Sequence, residues 1–210
     1  MNPLYFCGPI ALLATAAILC DRDGRRHRAF YLLKPLTTIV IIGLALSLPA
    51  AAASPWLLAG LGLCLLGDIA LLGDSDRAFI AGLSSFLLGH LLLIPALLLP
   101  LEGVAWPPLS GLVAVPALFM LSRLLPHAGV LKLPVIAYSV ALTALAIAGL
   151  TRGAYLGGSA GLLAGAGGLL FALSDGVLGW RRFRAPFPGS QAIVLSTYWA
   201  ALTILVISFA

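Results

Sequence analysis

Apolar residues in this chain arrive in unbroken runs about as long as a lipid bilayer is thick. A membrane-crossing helix needs about 20 apolar residues at about 1.5 Å of rise each. Runs bounded by charged residues, Pro or Gly predict eight such helices, at about 3–20, 33–53, 55–73, 78–99, 106–125, 131–150, 156–179 and 189–210. Closed β-barrels also cross bilayers, but their strands alternate apolar with polar residues. Runs such as Leu57–Leu66 and Leu91–Leu99 do not alternate. The expected architecture is an all-α integral membrane protein, with residues 1–210 forming one transmembrane domain. Composition points the same way: 61% of the residues are hydrophobic and 9% are charged, against about 25% charged in a soluble domain. That excludes a soluble enzyme, a disordered tail and a nucleic-acid binder of the usual kind.

The basic residues test the helix count. The loops after the first, third, fifth and seventh spans, with their flanks, carry Arg22, Arg25, Arg26, Arg28 and Lys34; Arg77; Arg123 and Lys132; and Arg181, Arg182 and Arg184. These are 11 of the 12 bases, and the opposite face has only Arg152. Cytoplasmic loops are the ones enriched in Lys and Arg, and a miscounted helix would scramble this partition. Eight spans therefore predict both termini on the non-cytoplasmic side of a multi-pass protein of the cell inner membrane. The net charge of +5 is explained by topology and attraction to anionic headgroups, so the partners expected are membrane lipids and not nucleic acid. The run Asn2–Cys20 lacks a basic leader and precedes a basic cluster, which reads as a retained first helix. Cys7, Cys20 and Cys64 lie in or beside apolar runs without paired spacing and read as packing residues. Lys34-Pro35 and Lys132-Leu133-Pro134 open the second and sixth spans, while Gly67-Asp68 and Ser174-Asp175 close the third and seventh. The offsets hint at two parallel four-helix repeats.

A charge at membrane depth is costly and marks a candidate functional site. Asp68 stands six residues before Asp74, and Asp175 six before Arg181, each about 9 Å along a helix. Lys34 follows Arg28 by six residues, and Tyr138 follows Lys132 by six. Four polar groups on four spans are thus expected at one level beneath the cytoplasmic face. Gly157, Gly161 and Gly168 fall within about 40° of the Asp175 direction at 100° per residue, and small residues let membrane helices approach closely. Asp175 is therefore expected to face a neighbouring helix. Lys34, Thr37 and Thr38 share one helix face. The plainer readings stay open beside these. A lone Asp near a helix end is often solvated from the interface, Lys34 reads equally as a snorkelling anchor, and Tyr138 reads equally as an interfacial residue. His90 lies 13 residues after Arg77, about 20 Å along its span, which predicts a level past the midplane. There it is a core histidine or a catalytic one. Ser84, Ser85, Thr37, Thr38, Ser139 and Thr143 commonly bond helix carbonyls.

Several chemistries are set aside. Zinc hydrolysis wants three protein ligands, and only His90 lies at depth. A site built from Ser84 or Ser85, His90 and Asp68 has no nucleophile-elbow sequence. The glycines around 157–168 sit in an apolar helix and make no phosphate loop. Paired acids at one depth also suit a proton-coupled transporter, and a structural membrane protein is a third option.

Several segments together resemble the YhhN family of lysoplasmalogenases. They are Lys34-Pro35-Leu36-Thr37-Thr38, Leu66-Gly67-Asp68-Ile69-Ala70-Leu71, Phe79–Phe86 leading to Gly89-His90, Ala137-Tyr138-Ser139, Phe171-Ala172-Leu173-Ser174-Asp175 and Thr197-Tyr198-Trp199. The resemblance runs in order and spacing along nearly the whole chain. Two departures stand out: Leu91–Ile94 replace a Tyr often found after the His, and Ala200-Ala201 replace a Gln often found after the last Tyr. The resemblance implies a lysophospholipid substrate whose vinyl ether is hydrolysed to a fatty aldehyde and glycerophosphoethanolamine or glycerophosphocholine, with no cofactor. Such hydrolysis needs a proton delivered to carbon and an activated water, which one neutral and one ionised carboxyl supply. Taking a carboxyl out of water favours its neutral form, and a second carboxylate nearby does so further. Asp68 and Asp175 are the expected catalytic pair. Lys34 is expected to hold the substrate phosphate or the second carboxylate, and Tyr138 and Tyr198 to orient water or glycerol oxygens. Thr38, His90 and Ser174, standing in the matching motifs, complete the expected substrate-binding set.

Overall fold

Serine and proline punctuate the helices much as the run boundaries anticipate. The computed structural model describes residues 2–22, 25–99, 101–102 and 110–210. Helix α1 spans Leu4–Cys20 and ends at a two-residue antiparallel ladder, β1 (Asp21–Arg22) with β2 (Arg25–Arg26), inside the first basic loop. Helix α2 covers Phe30–Ser47 and breaks at Leu48 before the one-turn α3, Pro49–Ala52. Leu48 is extended (φ −103°, ψ 118°), as expected of a residue whose helical conformation would clash with a following proline ring. The Ser54 hydroxyl accepts from the Leu57 amide and Pro55 fills the first turn of α4 (Pro55–Ala70). Ser75 caps α5 (Asp76–Leu98) in the same way. The remaining helices are α6 (Ser110–Leu124), α7 (Lys132–Leu156), α8 (Gly158–Phe183) and α9 (Ser190–Ile207).

Each predicted span has its helix, with shifted ends. The second begins three residues early, the third stops at Ala70, and the sixth runs on to Leu156. The expected start of the fifth, residues 106–109, lies outside the described residues. Among the described residues, six helical segments are long and apolar enough to cross a membrane, while Leu4–Cys20 and Pro55–Ala70 are shorter apolar helices. Outward-facing leucines on both kinds, among them Leu12, Leu66, Leu118 and Leu162, suit a lipid surround.

Side-chain contacts gather the basic loops at one end. Arg26 pairs with Asp74 at 2.9 Å, Arg182 with Asp76, and Arg184 contacts His127. Arg152 stands at the opposite end, where it donates to the Leu97 carbonyl at 3.4 Å and covers the Phe209 ring at 4.1 Å.

Glycines set how α7 meets α8. A Cβ on Gly161 would lie 2.4 Å from the Gly153 carbonyl oxygen, and one on Gly149 would lie 2.7 Å from the Ala164 oxygen. Backbones approach this closely only where side chains are absent. Gly168 opposes Ala146 in the same antiparallel register, and two turns further along that register brings Tyr138 opposite Asp175. Gly157 is a correction to the expected stripe. It has φ +62°, precedes the first turn of α8 and meets nothing within 4 Å, so it belongs to the sharp turn out of α7.

Candidate active site

Asp68 lies on the inward face of α4, 1% exposed, while its neighbours Leu66 and Ile69 point outward. Three side chains from two other helices converge on its carboxylate. The Thr38 hydroxyl donates to Oδ2 at 2.6 Å and the Tyr198 hydroxyl donates to the same oxygen at 2.9 Å. Lys34 Nζ sits 3.5 Å from Oδ1 and also donates to the Asp68 main-chain oxygen at 3.3 Å. Trp199 Nε1 donates to the Thr38 hydroxyl at 3.2 Å, which aims that hydroxyl's proton at the acid. Lys34 is buried, so it is a partner of the carboxylate and not a snorkelling anchor. A buried charge needs such a partner, because removing it from water costs several kcal/mol.

Asp175 has sparser company. The Tyr138 hydroxyl donates to Oδ2 and His90 Nε2 approaches the same oxygen at 3.4 Å. Tyr138 is 7% exposed, which rules out the interfacial reading for its hydroxyl. His90 is held edge-to-face against Phe171 and Tyr138, with ring centroids 4.7 and 5.2 Å away. Its contact with Asp175 is what residue counting did not anticipate. Counting residues from a loop neglects both the reach of side chains and the tilt of one helix against another, and the ring meets Asp175 directly. The Ser-His-Asp arrangement set aside above is not formed: Ser84 is exposed, Ser85 donates to the Leu63 carbonyl, and His90 lies against Asp175 and not Asp68.

Both acids border a polar cavity of about 240 Å³ that reaches the loop residues Gly73, Asp74 and Ser75. Lys34, Ser174 and Tyr198 line it, as do Arg26, Arg181 and Arg182 at its loop end. A second, largely apolar cavity of about 330 Å³ lies among α6, α7 and α8, and its wall includes Tyr138 and Asp175. Thr38 and His90 lie behind the acids and border neither cavity. Ser174 donates to the Val194 carbonyl at 3.0 Å, tying α8 to α9. Thr37 and Thr143 bond carbonyls of their own helices, as expected. Thus Asp68, Lys34, Thr38 and Tyr198 form one cluster, and Asp175, Tyr138 and His90 another.

Sequence reasoning missed three parts of this site. Trp199 acts through Thr38, and only its place beside Tyr198 hinted at it. Phe171 packs between His90 and Tyr198, with a centroid 5.7 Å from the latter. Arg181 was read only as a topology marker, yet it lines the polar cavity, donates to Gln191, and has a buried Nε without a partner among the described residues. Gln191 in turn donates to Asp21, 170 residues away, at 2.6 Å. No local pattern announces such a pairing.

A profile described as the YhhN family matches residues 29–209. The chain is 34% identical over 187 residues to a human protein named lysoplasmalogenase TMEM86B, covering 84% of this chain and 74% of that protein. It is 33% identical over 178 residues to the mouse protein of the same name, covering 83% and 72% respectively. A Mycobacterium tuberculosis protein named lysoplasmalogenase is 33% identical over 183 residues, covering 82% of this chain and 67% of that protein. No solved structure matches.

Proposed function

The chain belongs to the YhhN family, and from this membership and its buried acid pair we propose that it is a lysoplasmalogenase using Asp68 and Asp175 as general acid and base. The observation that carries the mechanism is that two carboxyls on different helices border one polar cavity. One carboxyl gives its proton to the β-carbon of the vinyl ether, whose π electrons form the new C–H bond. The ether oxygen's lone pair then makes an oxocarbenium ion. Water adds to the α-carbon while the other carboxylate takes the water's proton, giving a hemiacetal. The second carboxyl then protonates the departing glycerol oxygen while the first carboxylate takes the hemiacetal hydroxyl proton, which yields aldehyde and alcohol and resets both acids. The environment of Asp68, with Lys34 and two hydroxyl donors, suits the ionised member of such a pair.

The lysophospholipid headgroup enters the polar cavity, where Arg181 offers its guanidinium to the phosphate. Lys34, already engaged with Asp68, holds the carboxylate. The proposed topology is eight crossings within one transmembrane domain, with both termini on the non-cytoplasmic side of the cell inner membrane. The gathering of Arg26, Arg182 and Arg184 at one end supports it. The two parallel repeats find support in a second-helix partner for each acid, Lys34 of α2 for Asp68 and Tyr138 of α7 for Asp175.

The test is aldehyde release from 1-alk-1-enyl lysophospholipid by the purified protein in detergent, where no gradient exists. Stoichiometric aldehyde and glycerophosphodiester are expected. A proton-coupled transporter would release neither, and that result would end the hydrolase reading.

A further inference from the structure

The two cavities meet at Asp175. It borders both, together with Phe79 and Leu178, whereas Asp68 borders only the polar one. The apolar cavity is walled by Pro116 and Met120 of α6, Leu142 of α7, and Leu169 and Leu173 of α8. Helix α6 buries only Val113 and Leu124 among its described residues and turns Leu112, Val115, Leu118 and Phe119 outward. It is thus a thin wall between this cavity and lipid.

A single-chain lysophospholipid is divided in the same way. Its glycerophosphate is polar, its hydrocarbon is not, and the vinyl ether is the junction between them. Resting on the lysoplasmalogen reading above, we propose that the cavity among α6, α7 and α8 holds the alk-1-enyl chain and that Asp175 delivers the proton to its β-carbon. With the chain in the apolar cavity and the phosphate toward Arg181, the vinyl ether falls at the shared wall. The proton moves from the Asp175 carboxyl to carbon, and the π pair makes the bond. Asp68, surrounded by Lys34, Thr38 and Tyr198 on the polar side, then takes a proton from the attacking water. The occupant is committed by continuity: the apolar cavity reaches the polar one at a reactive group, which a site for a bulk membrane lipid would not require.

Gly176 is the place to test the cavity. It lines the wall, and a Cβ built there meets only Met120 Cε, at 3.8 Å, so Gly176→Leu adds bulk into the space. The readout is kcat/KM for a series of alkenyl chains in the purified full-length protein. The ratio of C18 to C10 rates is expected to fall about tenfold or more in Gly176→Leu, as for a hydrophobic pocket that loses room for a methylene or two. Met120→Ala, which enlarges the same space, is expected to raise the ratio about fourfold. An unchanged ratio in both variants overturns the chain site. For the donor, Asp68→Asn should keep a residual rate with the wild-type solvent deuterium isotope effect, while Asp175→Asn should lose about 1,000-fold or more. A faster Asp175→Asn than Asp68→Asn overturns the assignment. Wild-type failure on every vinyl ether defeats the enzymatic reading instead. In that case, binding of non-hydrolysable 1-O-alkyl lysophospholipids of C10 to C18 reads the cavity alone. Chain-length-dependent affinity that Gly176→Leu abolishes supports the site, and chain-independent affinity overturns it.

Discussion

Two buried carboxylates that border one cavity have different surroundings. Asp68 accepts from two hydroxyls and pairs with Lys34, all contributed by α2 and α9. Asp175 accepts from Tyr138 of α7 and otherwise faces the His90 ring of α5. One carboxylate is ringed by a cation and two hydroxyl donors, while the other borders an apolar cavity with a single hydroxyl donor. Sequence depth alone makes these residues equivalent. Their neighbours make them different, which is what the proposed division into acid and base rests on.

The comparison is most easily broken at Lys34. Lys34→Met leaves a buried carboxylate without its cation and should cost about 3 kcal/mol of stability, read from unfolding in detergent. Lys132→Met, at an exposed position that opens α7, should stay within about 0.5 kcal/mol. Equal effects would mean that Lys34 is not the partner the geometry makes it. The tyrosines come next. Tyr138→Phe removes the only hydroxyl donor among the described residues bonded to Asp175 and should lower kcat about tenfold. Tyr198→Phe should lower it only about threefold, because Thr38 and Lys34 remain on Asp68. A reversed order would erase the distinction between the two acids. An effect on stability alone is expected beside Asp175, where Ser174→Ala loses a bond to the Val194 carbonyl. It should lower stability by about 1 kcal/mol, seen as a small drop in the unfolding temperature.

Much of this was legible before any fold. The apolar runs place the helices because each span must satisfy its own backbone in lipid. Asp68 and Asp175 stand out because a charge in such a run is rare. The errors share one cause, which is that position along one helix says little about contact with another. His90 was not expected to reach Asp175, and Gly157 was counted within a helix that starts after it. Arg181 passed as a topology marker because Gln191 and the cavity it faces come from elsewhere in the chain.

The sequence by itself determined the solvent, the class of fold and which few polar residues would be held away from water, since these follow from a one-dimensional pattern of hydropathy and charge. The tertiary structure alone decided their partners: Lys34 with Asp68, His90 and Tyr138 with Asp175, and two cavities meeting at one acid. Those contacts depend on crossing angle and register between helices. Here the close approach of Gly153 to Gly161 sets that register, and no pattern within a single span encodes it.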